Sequence, residues 1–168
     1  MFMADLTIRS LIDRVSSGDI RIPAFQRDFV WDADQVAFLI DSIYKGFPIG
    51  TIVFWQTDER LKTEKNLGAF ALPEPKRDYP VNYVLDGQQR LTSLFSVFQN
   101  ELEPLDNSWI DIYFDLEAAK NPQDTCFFAF SEDEADPQRH FPIKTFFDTV
   151  SYRAATKELN DDQAALID

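Results

Sequence analysis

The feature that most constrains this chain is the run Val81-Asn82-Tyr83-Val84-Leu85-Asp86-Gly87-Gln88-Gln89-Arg90-Leu91-Thr92-Ser93-Leu94-Phe95. Branched and aromatic residues from Val81 to Leu85 read as a strand, whereas Leu91, Leu94, Phe95 and Phe98 recur at the spacing of a helix with one buried face. Between them stands Asp86-Gly87, a turn pair. A strand that passes through glycine directly into a helix calls for a mixed α/β architecture. It also leaves backbone N–H groups and the positive end of a helix dipole at the turn, a combination suited to an anion such as phosphate.

Patterns elsewhere agree. Ile8, Leu11, Ile12 and Val15 predict a first helix that stops at Ser16-Ser17-Gly18-Asp19, and Ile20-Arg21-Ile22 alternates before Pro23. Asp32 and Gln35 form a capping box for a second helix with apolar positions Val36, Leu39, Ile40, Ile43 and Phe47. Strands are expected at Thr51–Trp55, Trp109–Leu116 and Cys126–Phe130. His140 to Asp148 reads as mixed, with a short helix from Lys144. Residues 57–80, broken by Gly68 and three prolines, read as a long loop or insertion with a short strand around Ala69–Leu72. The segment 151–168 reads as a helical edge, and 1–168 as a single domain.

Sixteen phenylalanines and 45% hydrophobic residues exclude a disordered chain. Cys126 is the only cysteine, so neither an intrachain disulfide nor a cysteine-rich metal site can form from this sequence. Met1-Phe2-Met3-Ala4-Asp5 does not resemble a secretory signal, and a cytoplasmic location with no membrane partner is the expectation. The net charge of −13 opposes general binding to a phosphate backbone, but it is unevenly spread. Residues 1–100 carry 11 basic and 13 acidic side chains; residues 101–168 carry 5 and 16. A phosphate ligand therefore suits the first part.

Two stretches carry candidate chemistry. In the first, Arg90 lies in the opening helical turn, where a guanidinium can grip phosphate oxygens through two parallel hydrogen bonds. Asp86 ends the strand and is a candidate ligand for Mg²⁺ held by phosphates, or a group that orients water. Gly87 lets a ligand approach the backbone, and Gln88, Gln89 and Thr92 are candidate hydrogen-bonding groups, with Thr92, Ser93 and Ser96 on the non-core face. Pattern alone is equally consistent with an ordinary turn in which aspartate caps a helix. The stretch is neither a P-loop nor a dinucleotide fingerprint.

In the second, Ile22-Pro23-Ala24-Phe25-Gln26-Arg27-Asp28-Phe29-Val30-Trp31 sets Gln26 and Arg27 between apolar anchors. Arg27 is a candidate second phosphate clamp, Gln26 a hydrogen-bonding group, and Phe25 or Phe29 a surface for a base. An ordinary loop sealed by aromatics, with Arg27 paired to Asp28, Asp32 or Asp86, explains the same residues.

Taken together, IPAFQRDFVW and LDGQQRLTSL resemble the paired motifs of the N-terminal domain of GmrSD-type modification-dependent restriction enzymes, in the ParB/sulfiredoxin-like superfamily. The intervening FLIDSIYKGFPIGTIVFW agrees, so the resemblance spans about residues 7–100. It implies a small mixed sheet with flanking helices, on which Gln26 and Arg27 converge with Asp86, Gly87, Gln88, Gln89 and Arg90 at a nucleotide pocket. By the same resemblance the expected activity is nucleoside triphosphate hydrolysis within a DNA restriction or phage-defence system; from the residues themselves, Mg²⁺ is the expected cofactor and Asp86, Arg90 and Arg27 the expected catalytic groups. A non-hydrolytic nucleotide sensor, or a module that binds DNA or protein, is the alternative. The expected partners are a nucleotide, modified DNA and an HNH-type nuclease domain fused downstream or carried by another chain. With His140 as its only histidine, this chain does not assemble an HNH site, and it is expected to be a fragment or stand-alone copy of a larger protein.

Overall fold

A computed structural model describes residues 6–63, 65–121 and 123–167. In chain order the elements are α1 (Ile8–Ser16), β1 (Ile20–Arg21), α2 (Ala33–Tyr44), β2 (Val53–Thr57), β3 (Asn66–Leu67), β4 (Phe70–Ala71), β5 (Val81–Asp86) and α3 (Gln88–Phe98). Then come β6 (Ile112–Asp115), β7 (Phe127–Ala129), β8 (His140–Pro142), α4 (Thr149–Thr156) and α5 (Asp161–Ala164). The mixture of helices and small sheets is the α/β architecture anticipated above. The chain divides into two compact units, one built from residues 1–30 and 50–106, the other from 31–49 and 107–168.

The first unit centres on a three-stranded sheet of order β1-β5-β2, in which β1 runs parallel and β2 antiparallel to β5. Central β5 is the most enclosed strand of this sheet: Val81, Asn82, Tyr83 and Val84 are buried on both faces, with the Asn82 amide donating to Asp19. Helix α1, capped by the Thr7 hydroxyl accepting from the Ser10 N–H, turns Leu11 and Val15 inward and packs against α3. Leu91 and Phe95 of α3 are fully buried, and each such side chain contributes about 2 kcal/mol of hydrophobic stabilisation. The short strand expected around Ala69–Leu72 is β4, which forms a hairpin with β3, with Leu67 and Phe70 in the core.

Strand β2 starts two residues later than its composition suggests. Residues 50–52 lie instead against the turn that follows β5, so their backbone is committed elsewhere. Between the pairs Val53–Asp86 and Phe54–Val84 the register slips by one residue. Leu85 is therefore a bulge, placed immediately before the candidate site, where bulges commonly re-aim a strand end.

In the second unit β7-β6-β8 form an antiparallel sheet against which α2 packs through β7. The Asp32–Gln35 capping box predicted for α2 is formed. Asp41 is buried on this helix, pairs with Lys45 at 2.7 Å and accepts the Cys126 N–H at 2.8 Å, tying α2 to the start of β7. Burial pushes the Cys126 thiol up, with Asp41 adding to the effect, so the sulfur is a poor nucleophile. Phe47, expected on the apolar stripe, is exposed because α2 ends at Tyr44.

One further expectation is corrected in this unit. His140–Pro142 is a strand, and the helical turn that follows covers only Ile143–Thr145; pairing with β6 supplies the order that the local pattern does not show. On β6 and beside it the carboxylates are paired: Asp111 with Lys144, while buried Asp115 accepts two bonds from Arg139 at 3.0 and 2.7 Å. Burial pushes the Asp115 carboxyl up, but hydrogen bonds from Arg139 and from the Ala118 and Glu117 N–H groups outweigh it and hold it below the ordinary 3.8. A carboxyl with a lowered folded-state pKa stabilises above its unfolded pKa, and that contribution is lost as pH falls through the folded value. Acid unfolding monitored by fluorescence should therefore include a limb below about pH 4, and Arg139→Met should shift that limb to higher pH.

Candidate functional site

The candidate site grows out of the end of β5. Gly87 adopts φ 86°, a left-handed conformation that reverses the chain and starts α3. No side chain caps α3, so Asp86 does not play the helix-capping part that an Asp-Gly turn often assigns to aspartate. The first N–H groups of a helix have no intrahelical partner, and here those of Gln88, Gln89 and Arg90 open the helix without a capping side chain. A Cβ on Gly87 would lie 3.0 Å from the Thr51 carbonyl oxygen and 3.1 Å from the Ile52 Cα. Both its conformation and its neighbours therefore demand glycine.

Arg90 lies under this turn. Its Nη2 donates to the Thr51 carbonyl at 2.6 Å and approaches Asp86 Oδ2 to 3.6 Å, while its guanidinium faces Gly50, where a Cβ would come within 3.1 Å of Nη1. The Arg90 side chain is only 24% exposed, yet its buried Nε has no hydrogen-bond partner. A buried guanidinium N–H left unpaired is costly, which makes it a marker of a site that an acceptor completes. Asp86, by contrast, is 72% exposed and directs its carboxylate outward.

The second motif reaches the same turn. Gln26 donates through Nε2 to the carbonyls of Val84 and Leu85 at 3.2 and 3.1 Å, at the end of β5. In return Gln89 accepts the Val30 N–H at 3.0 Å and donates to the Asp28 carbonyl at 2.9 Å. The loop carrying Arg27 is thus fastened beside the opening of α3. Arg27 is exposed and, among the described residues, has neither a hydrogen bond nor an ion pair, so it is not paired with Asp28, Asp32 or Asp86. Phe25 is 69% exposed, whereas Phe29 is half-buried against Gly68. The structure brings Gln26, Arg27, Asp86, Gly87, Gln88, Gln89 and Arg90 into one neighbourhood.

Thr92 does not join them. Thr92, Ser93 and Ser96, expected on a polar outer face, are all buried, with Thr92 fully enclosed and its methyl group 2.9 Å from where a Cβ on Gly68 would lie. The reason is that α3 is covered on both sides, by α1 and by the β3–β4 connection. Small hydroxyl residues permit that close approach. Ser93 meets its hydrogen-bonding need by donating back to the Gln89 carbonyl.

Gly50 and Thr51, which sequence reading did not single out, support the site from the other side. Their one signal was a glycine directly before a strand, a position where close backbone approach is common. Among the described residues no group of three or more histidine, cysteine or acidic side chains is placed to hold a metal ion. Asp86 is a single exposed carboxylate at the turn, and that suits Mg²⁺ only in the manner of an ion bound chiefly through phosphate oxygens and water.

The pattern that defines the GmrSD restriction endonuclease N-terminal domain matches residues 8–167. This chain belongs to that family. The family takes its name from the N-terminal domain of a restriction endonuclease. The chain is also 32% identical over 130 residues to an uncharacterized protein of Methanocaldococcus jannaschii, a match covering 73% of this chain and 22% of the relative. The domain thus spans about a fifth of that relative's length. No helix among the described residues of the GmrSD N-terminal domain is long and apolar enough to cross a membrane.

Proposed function

We propose that this GmrSD N-terminal domain binds the phosphates of a nucleoside triphosphate at the turn Asp86–Arg90 and hydrolyses it as part of a modification-dependent DNA restriction or phage-defence system. The observation that carries the reading is the buried, unpartnered Arg90 Nε behind an uncapped helix N-terminus. Main-chain N–H groups of α3 and the guanidinia of Arg90 and Arg27 supply positive potential on the same turn, which is what phosphoryl transfer chiefly requires of a protein. Asp86, with Gly87 and Gln88 beside it, is the acidic group available to hold Mg²⁺ with the phosphates or to orient water. Mg²⁺ would neutralise phosphate charge there. An HNH-type nuclease domain, fused downstream or on another chain, is the partner that this module would serve, with modified DNA as its target.

The test is a panel of GTP, CTP and ATP with and without Mg²⁺, read both as melting temperature and as phosphate release. A binding nucleotide at a hundred times its Kd should add about 2.7 kcal/mol of stability. Asp86→Ala should lower turnover more than affinity. If no nucleotide moves the melting temperature, the reading fails.

A second reading, a non-hydrolytic nucleotide sensor, is favoured by the approach of Asp86 to Arg90, since an aspartate held by that arginine is less free to serve water or metal. Thermal stabilisation without phosphate release above background would select it.

A further inference from the structure

The two motifs share a dipeptide, Gln26-Arg27 in one and Gln89-Arg90 in the other, and the structure treats the glutamines alike. Each grips the backbone of the opposite motif. Gln26 donates to Val84 and Leu85, directly before Asp86; Gln89 both accepts from Val30 and donates to Asp28, directly after Arg27. Gln26 Nε2 is therefore shared between two adjacent carbonyls, and the Gln89 amide is held by a bond at each end. The arginines differ: Arg27 has no partner among the described residues, and Arg90, whose Nη2 donates to the Thr51 carbonyl outside both motifs, keeps its Nε unpaired.

We infer that in each Gln-Arg pair the glutamine is a positioning residue, a reciprocal clasp between the two motifs, and that the arginine alone faces the ligand. Gln89 acts through Arg27: it fixes the Asp28–Val30 backbone to the first turn of α3, so the Arg27 guanidinium starts beside the helix N-terminus rather than ranging with a free loop. An amide suits both contacts, because one bond needs an acceptor and the other a donor, and neither a carboxylate nor an ammonium supplies both. This inference rests on the nucleotide reading for what the arginines bind, while the clasp consists only of contacts within the protein.

The experiment combines amide exchange in the ligand-free protein with a double-mutant cycle. Gln89→Met keeps length and removes both bonds. It should speed exchange of the Val30 N–H at least about tenfold and weaken binding of the nucleotide selected from the panel about tenfold. Arg27→Ala should weaken binding by a similar factor and leave Val30 exchange unchanged. The double variant Gln89→Met/Arg27→Ala should bind no worse than Arg27→Ala alone, because a residue that acts through Arg27 has nothing to add once Arg27 is gone. A multiplied loss of about a hundredfold in the double variant, or weakened binding by Gln89→Met with unchanged Val30 exchange, would mean direct ligand contact by Gln89 and overturn the inference. Should Gln89→Met not fold, the unmodified protein still decides: its Val30 N–H must be protected, and exchange at the rate of an open loop refutes the clasp. If no nucleotide binds the unmodified protein, the functional reading falls while the exchange arm judges the clasp separately.

Discussion

Arg90→Ala is expected to reduce nucleotide affinity about thirtyfold and to reduce turnover as well. A hydrogen bond to a charged group contributes about 2 kcal/mol, which is a factor of that size in Kd. Both quantities fall because Arg90 is part of the scaffold as well as the candidate clamp. Its Nη2 holds the Thr51 carbonyl at 2.6 Å, and that contact fixes the 50–53 segment beside the turn. Arg90→Lys should recover little of the loss. An ammonium is a point donor, whereas the geometry here asks one side chain to reach Thr51, approach Asp86 and still aim a third N–H. Titration calorimetry of the two variants beside the unmodified protein measures this directly, and equal affinity in all three would remove Arg90 from the site.

Gly87→Val is expected to destabilise the first unit strongly. A φ of 86° costs a β-branched residue about 2 kcal/mol, and the new side chain would also meet the Thr51 carbonyl and the Ile52 Cα at 3.0 and 3.1 Å. Those neighbours belong to the segment that leads directly into β2, so relief requires moving that segment away from the turn. A total loss of about 3 kcal/mol or more follows, seen as a lower denaturation midpoint in urea. Gly87→Ala should show the same direction with a smaller loss. A Gly87→Val protein as stable as the original would show that the turn is not packed as described.

The contrast between these two residues shows what the sequence made legible. Gly87 stood out because an apolar strand pattern and a helical pattern met at Asp-Gly, and local chemistry alone dictates a turn there. The Asp32–Gln35 box and the apolar stripe of α1 were readable for the same reason: each depends on neighbours a few residues apart. Arg90 was readable as a candidate clamp, yet its partner Thr51 was not, because their approach is set by the strand order β1-β5-β2 and by the Leu85 bulge. No periodicity in 81–86 signals that bulge, since Val81 to Val84 are all buried.

Thr92, Ser93 and Ser96 failed for a related cause. A polar side chain on a helix is normally assigned to solvent, but small hydroxyls can be buried where another element passes close, as the Gly68 connection does at Thr92. Asp115 is the same lesson in the second unit, where alternation along β6 could not reveal that Arg139 arrives from 24 residues away. In both cases the burial of a polar group was decided by a distant partner.

Phosphate binding at the opening of α3 is measured most directly by an ¹⁵N amide titration with the nucleoside triphosphate and Mg²⁺. Saturable shifts are expected at the Gln88, Gln89 and Arg90 N–H groups and at the Arg90 Nε, with loss of those shifts in Arg90→Ala. Shifts confined to other parts of the chain, or none at these four positions at saturating nucleotide, would contradict phosphate binding there.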